Sequence, residues 1–234
     1  MAKFIVIDGL DGCGKATQVQ RLAKYLKEEL DYNVHIMSFP AYDSDSSALV
    51  KMYLGGEFGK DATKLNPYIC SSFYAVDRFA SFLKEYNKYF EEDDNTIILA
   101  DRYLSANIIH QASKINNTND RHKFIKWVYD FECGLCGLPK EDMTILLTIP
   151  PEISQSLMTK RYDGNENKKD IHENSLEYLQ KCYDTLEDTV NYINYSYIAK
   201  WKWFDCSTDD KKAIKSIEEI TDELITAVIL QNTI

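Results

Sequence analysis

No stretch of this 234-residue chain approaches the roughly 18 consecutive apolar residues of a membrane span, and its N-terminal apolar run is soon cut by Asp8. A membrane-embedded protein and a secretory leader are therefore disfavoured, and a cytoplasmic location is expected. Positive charge is also scarce: 27 Lys and Arg against 37 Asp and Glu give a net charge of −10. That balance does not suit a nucleic-acid polymer as partner, because such binding needs many cations to release counterions, whereas a mononucleotide needs only a few local ones. Of six cysteines only Cys133 and Cys136 stand as C-x-x-C. A single such pair makes a poor zinc site and reads as ordinary packing in a reducing compartment. Internal repeats, low-complexity tracts and composition shifts that would mark a second domain are all missing, so one domain with a full hydrophobic core is expected.

What is present begins at Lys3. The run KFIVIDGLDGCGKAT carries an apolar stretch, Phe4–Ile7, that stops at Asp8; glycines at 9, 12 and 14 then lead into Lys15 with the spacing G-x-x-x-x-G-K. This is a phosphate-binding loop, Gly9, Leu10, Asp11, Gly12, Cys13, Gly14, Lys15, Ala16 and Thr17 being its residues. Glycines let the backbone aim its amides at one point, the next helix adds the positive end of its dipole, and Lys15 reaches the outer phosphates. Val19, Leu22, Ala23, Leu26 and Leu30 repeat at helical spacing behind it, so strand, loop and helix follow in the required order. Cys13 is expected to fill space within the loop.

Five segments read as strands: Phe4–Ile7, Val34–Phe39, Thr96–Ala100, Met143–Ile149 and Trp203–Asp205. Helical patterns alternate with them, which predicts an α/β fold with a five-stranded parallel sheet and helices on both faces. The runs at 4, 96 and 143 are almost wholly apolar, as strands buried on both sides should be. A long helix is predicted over 67–90, a helical stripe runs from Leu176 to Ile193, and another runs from Ile217 to Val228. The polar segment 162–170 has no period and reads as a mobile loop. Ligands in such sheets bind beyond the carboxyl ends of the strands, so Asp8–Thr17, Phe39–Tyr42, Asp101–Gln111 and Pro150–Pro151 are the places for a site.

Asp101 and Arg102 directly follow the third strand. A carboxylate there can hold the water shell of magnesium, and an arginine can clamp a transferring phosphate; a surface salt bridge is the plainer alternative. Tyr74 and Arg78 lie four apart on the long helix, hence on one face, where a ring and a guanidinium could hold a nucleobase, or could simply pack and form a helix ion pair.

These pieces in this order resemble the thymidylate kinase family. The resemblance rests on GLDGCGKAT, FPAY at 39–42, YLGGEFG at 53–59, YAVDR at 74–78, DRY at 101–103 with Asn107, His110 and Gln111 beyond, GLPKED at 137–142, and Lys160-Arg161 followed by DIHE at 170–173. It implies a P-loop nucleoside monophosphate kinase, a homodimer, that moves the terminal phosphoryl group of ATP to dTMP with Mg2+. Residue by residue it implies Phe39 and Tyr74 flanking the thymine, Tyr42 and Gln111 beside the substrate, Arg78 on a base carbonyl, Asn107 toward the ring edge, and His110 near the sugar. Arg102 would hold the acceptor phosphate, with Lys15, Asp11 and Arg161 completing the catalytic set. Asp11, Asp101 and Glu173 would serve the metal, directly or through water, and a lid spanning about 160–173 would close over ATP. Ala16 departs from the hydroxyl residue usual after the loop lysine, Ala106 from a frequent serine, and the lid has lysines at 168 and 169 where arginines are common. Two readings remain beside this one, a deoxynucleoside kinase acting on thymidine with Asp8 as base and a non-catalytic nucleotide-binding relative. A guanine-nucleotide switch is a third class, in which the long helix 67–90 would have no purpose.

Overall fold

Residues 1–161, 170–173 and 175–229 are described in the computed structural model of the chain. Strands β1 (Lys3–Gly9), β2 (Asn33–Ser38), β3 (Thr96–Asp101), β4 (Met143–Thr148) and β5 (Trp201–Asp205) form one sheet in the order β2-β3-β1-β4-β5. Every pairing is parallel. The three inner strands are the apolar runs of the sequence, and they are buried almost throughout. Register brings Ile7 and Ser38 level with Asp101, and Asp8 level with Leu146, so the strands open their carboxyl ends onto one edge.

The described helices are α1 (Lys15–Glu28), α2 (Ala48–Leu54), α3 (Pro67–Ser81), α4 (Leu104–Asn107), α5 (Thr118–Tyr129), α6 (Pro151–Arg161), α7 (Leu176–Asp184), α8 (Leu186–Tyr195) and α9 (Ile217–Ile229). Alternation along the strands divides the core in two. Ile5, Ile7, Ile97, Leu99, Ile145 and Leu147 meet Val19, Leu22 and Leu26 of α1 and Ile220, Leu224 and Val228 of α9. On the opposite face Phe4, Val6, Ile98, Ala100 and Leu146 belong to a cluster with Phe124 and Val128 of α5, Tyr178 and Cys182 of α7, and Leu186 and Ile193 of α8. Truncating one of these fully covered side chains, as in Leu22→Ala, costs about 2–5 kcal/mol in transfer and cavity energy. No described helix is long and apolar enough to cross a membrane.

Two helical expectations change in detail. The long helix is α-helical only to Ser81; Phe82–Tyr86 widens into looser turns and Asn87–Glu91 tightens again. Its start is well specified, with Pro67 at the first position and the Asn66 side chain accepting from the backbone N–H of Tyr68 and Ile69 at 2.9 and 3.3 Å. The stripe from 176 to 193 is two helices, α7 and α8, broken at Thr185. There the threonine hydroxyl donates to the carbonyls of Lys181 and Cys182, both at 3.1 Å, and ends the first helix. Segment 162–169, the body of the expected lid with Lys168 and Lys169, lies outside the described residues.

Candidate active site

The phosphate loop joins β1 to α1. Gly9 has φ 151°, and a Cβ there would stand 2.0 Å from the carbonyl oxygen of Leu147, so only glycine fits. Gly14 caps α1 in the left-handed region with φ 87°. Lys15 is folded back into the loop, its Nζ donating to the carbonyls of Gly9 and Leu10 at 3.1 and 2.8 Å. Cys13 is wholly buried, and burial raises its thiol pKa, in keeping with a space-filling role. Ala16 and Thr17 face a broad cleft of about 1880 Å³, counting its open mouth, together with Lys15, Asp101, Arg102, Arg161 and Glu173.

Asp11 is the centre of charge. Its carboxylate pairs with Arg102, lies 3.8 Å from Lys15 Nζ and 3.9 Å from His110 Nε2. Burial alone would raise its pKa, but Arg102, Lys15 and His110 outweigh that and hold it well below the usual carboxylate range. Asp101, at the end of β3, is pushed up by burial, against the pull of Lys15 and Arg102. Arg102 adopts φ 68°, a conformation that costs a non-glycine residue about 1–2 kcal/mol, while its N–H donates to the Ile7 carbonyl at 3.1 Å.

Beside the cleft is a narrower pocket of about 530 Å³, and Asp11, Phe39, Pro40, Tyr42, Leu54, Arg102 and Asp170 line both. Tyr74, Asp77, Arg78, Tyr103, Ala106, His110, Gln111 and His172 complete it. Phe39 precedes a cis proline, and the loop it begins is held by Asp77, which accepts from the Ala41 N–H at 2.8 Å and the Ser46 hydroxyl at 2.7 Å.

Arg78 is 1 % exposed, and its Nε and Nη2 form a bidentate pair with Glu132, both bonds 2.7 Å. The ion-pair alternative thus has a partner, Glu132 and not the neighbouring Asp77, and Nη1 is left with a long contact of 3.4 Å to the Tyr103 carbonyl. Asn107 is not on the pocket wall; its Nδ2 donates to the Ser71 carbonyl at 3.2 Å and to Glu132 at 3.3 Å, bracing the arginine's partner. Gln111 is fully buried, lines the pocket, and keeps its Oε1 without a hydrogen-bond partner. His110 stacks on His172 at 4.9 Å between ring centres, and its pKa is lowered to about 4, chiefly by burial. Asp170 is raised to about 7, by burial and then by Asp11.

Glu132, Asp170, His172 and Tyr53 did not stand out in the sequence, although the runs YLGGEFG and DIHE contain three of them. Asp8, the candidate base of the alternative reading, is completely buried, with one carboxylate oxygen accepting from the Gly9 N–H at 2.8 Å and the other from the Ser105 hydroxyl at 2.5 Å.

Comparison with known proteins agrees with this geometry. The sequence pattern of the family described as Thymidylate kinase matches residues 7–199. A "Probable thymidylate kinase" from Methanococcus maripaludis is 26 % identical over 229 residues, covering 98 % of this chain and 96 % of the relative. A "Thymidylate kinase" from Mycobacterium tuberculosis is 27 % identical over 180 residues, covering 76 % and 81 %. In three dimensions the fold is similar to that of a thymidylate kinase from Candida albicans, with a TM-score of 0.68 at 17 % identity over 99 % of this chain and 93 % of that one. A phosphate loop, an aromatic pocket beyond the same strand ends and a family match over most of the length lead to one conclusion: the chain belongs to the thymidylate kinase family.

Proposed function

We propose that this protein transfers the terminal phosphoryl group of ATP to dTMP, giving ADP and dTDP. The observation that carries the reading is the junction at Asp11 and Arg102, shared by a wide cleft over the phosphate loop and a narrow pocket with aromatic walls. Two nucleotides seated in these spaces would bring their phosphates together where Lys15 and Arg102 supply positive charge. Arg161 lines the donor side of the same cleft. Catalysis is then positioning and charge neutralisation, because a phosphate monoester oxygen is already a competent nucleophile and needs no base.

Phe39 and Tyr74 would flank the thymine and Tyr42 would border it. Nη1 of Arg78 would donate to a base carbonyl, Gln111 Oε1 would accept from the imide N–H, and Asn107 would act by holding Glu132 in place. His110, beside Asp11, would face the sugar. The donor set suits magnesium: Asp11, Asp101 and Glu173 are hard oxygen ligands around the cleft, Ala16 offers none, and no three-ligand cage is assembled among the described residues. Magnesium accepts such a site because it keeps several waters and takes phosphate oxygens as ligands. When bound, it would neutralise charge on the outer phosphates of ATP.

A segment of about 160–173 would serve as lid on a single kinase domain in the cytoplasm. Ile69, Val76 and Leu83, exposed on one side of α3 and its extension, would supply an apolar surface for a homodimer. The nucleoside-kinase reading is disfavoured by the burial of Asp8, whose oxygens are both engaged. The letters N-K-x-D do stand at 167–170, as a guanine-reading switch would have them; of these only Asp170 is described, and its Oδ1 is occupied by the N–H groups of His172 and Glu173 at 2.7 and 2.9 Å. A coupled assay of transfer from ATP to thymidine, dTMP, dUMP and dCMP tests the proposal. Faster turnover of thymidine than of dTMP would overturn it.

A further inference from the structure

Tyr53, at the end of α2, has no place in the scheme above, yet it is completely buried and touches three walls of the acceptor pocket. Its ring meets Tyr74 edge-on at 6.1 Å and His172 at 5.3 Å. Its hydroxyl gathers Lys114 Nζ at 2.9 Å, Gln111 Nε2 at 3.4 Å and His172 Nε2 at 2.7 Å, with Cys70 beside it. The three hydrogen-bonding groups come from the helical turns after β3 and from the tail 170–173, far apart in sequence.

A phenol has one proton to give and two lone pairs to fill. The Lys114 ammonium can only donate, so it occupies one lone pair. Cys70 Sγ is a weak alternative acceptor for the phenol proton; Gln111 and His172 share the other lone pair and the proton, and two arrangements satisfy both of them. In the first, the phenol donates to His172 Nε2 and accepts from the Gln111 amide nitrogen, so Oε1 faces the pocket unpaired. In the second, His172 donates to the phenol, the phenol donates to Oε1, and the amide turns its NH2 toward the pocket. The placement of the Gln111 amide matches the first: Nε2 is on the phenol side and Oε1 is buried without a partner. His172 Nε2 lies 2.7 Å from the phenol oxygen, close enough to take its proton in a hydrogen bond.

The two arrangements read opposite base edges. Thymine presents an N3–H donor, which Oε1 satisfies and an NH2 group would oppose. Cytosine presents an N3 lone pair, for which the reverse holds. We propose that Tyr53 is a positioning residue for base selection: the direction of its hydroxyl proton, set by His172 as acceptor, fixes the Gln111 amide so that the pocket takes a pyrimidine imide and rejects cytosine. The proposal rests on the assignment of the narrow pocket to the acceptor nucleotide. It also ties selection to the seating of the tail 170–173, whose Ile171 N–H is held by the Leu54 carbonyl at 3.2 Å, one residue from Tyr53.

The test is kcat/KM for dTMP and for dCMP in the wild type, Tyr53→Phe and His172→Phe, each alone and combined with Gln111→Glu. Both phenylalanine variants keep a ring in place and remove one end of the relay. Each should lower the ratio of dTMP to dCMP by about tenfold or more, one hydrogen bond's worth of discrimination. With Gln111→Glu the outer atoms are both oxygens and orientation no longer matters, so adding Tyr53→Phe should then change the ratio by less than about twofold. A merely structural role would lower both substrates alike. The proposal is overturned if folded Tyr53→Phe and His172→Phe keep the wild-type ratio, or if the same fall appears in the Gln111→Glu background; should Tyr53→Phe fail to fold, His172→Phe decides alone. A wild type that does not phosphorylate dTMP would instead overturn the acceptor assignment.

Discussion

The two halves of the site are built on different plans. The half proposed for the donor is centred on one contiguous run, Gly9 to Thr17, shaped by glycine conformations. The half proposed for the acceptor is drawn from FPAY, the end of α2, α3, the turns after β3 and the tail at 170–173, where side chains are held in place by other side chains. Damage to the first should therefore be local and chemical. In the second it should spread through partners and show as lost stability or altered selectivity.

The largest effect expected is on the donor side. Lys15→Ala should lower turnover by several orders of magnitude, about the size expected for a charge directed at the transferring phosphates, with dTMP affinity nearly intact. Turnover and calorimetric titration together check this, and near-normal turnover would refute the loop's assigned role. Next in size is Glu132→Ala in the acceptor half, which strands the Arg78 guanidinium in the core and should destabilise the fold by about 3–5 kcal/mol, measured by denaturant unfolding. Arg78→Ala should weaken dTMP by about 1–3 kcal/mol and leave ATP binding unchanged. Equal losses for both ligands would reduce Arg78 to a structural brace.

A smaller contrast concerns acid. His110 has a folded pKa of about 4, below its unfolded value, so its neutral burial stabilises the protein above about pH 6.5 and that contribution fades as pH falls toward 4. Asp170 is raised to about 7, so its contribution is present at acid pH and lost as pH rises toward 7. Over this window the stability difference between wild type and His110→Gln should rise with pH, and that between wild type and Asp170→Asn should fall. Parallel slopes in thermal melts would show that one of the two is not buried as described. The smallest effect belongs to Ala16→Ser. If carboxylates and phosphate oxygens organise the magnesium shell, the added hydroxyl should shift the magnesium requirement only modestly, while Asp11→Asn raises it and slows transfer. A large gain from Ala16→Ser without an Asp11→Asn effect would show that the site lacks a hydroxyl.

The same contrast explains what could be read in advance. The phosphate loop, the inner strands and the sheet's carboxyl edge were legible because each is written in consecutive residues with a known period. The Arg78 to Glu132 pair was not, since its members are 54 positions apart and a neighbouring carboxylate, Asp77, offered itself as the nearer partner. Nor was the break at Thr185, across which apolar residues keep stepping by three and four while a hydroxyl ends the helix from inside. Asn107 and Gln111 stand one helical turn apart in the same motif. Only packing could show that one is spent on Glu132 and the other is left facing the pocket.

The backbone of Arg102 has a consequence for how this protein tolerates change. At most helical or extended positions alanine is the more stabilising replacement and glycine the looser one. At position 102 that order should invert, because φ 68° is open to glycine and resisted by any residue with a Cβ. Arg102→Gly and Arg102→Ala should be equally inactive, yet the glycine form should melt higher, by about 1–2 kcal/mol in unfolding free energy. Among inactive replacements at this position glycine would therefore be the sturdiest, because it alone relieves the backbone while every one of them strands the Asp11 carboxylate that the guanidinium pairs with.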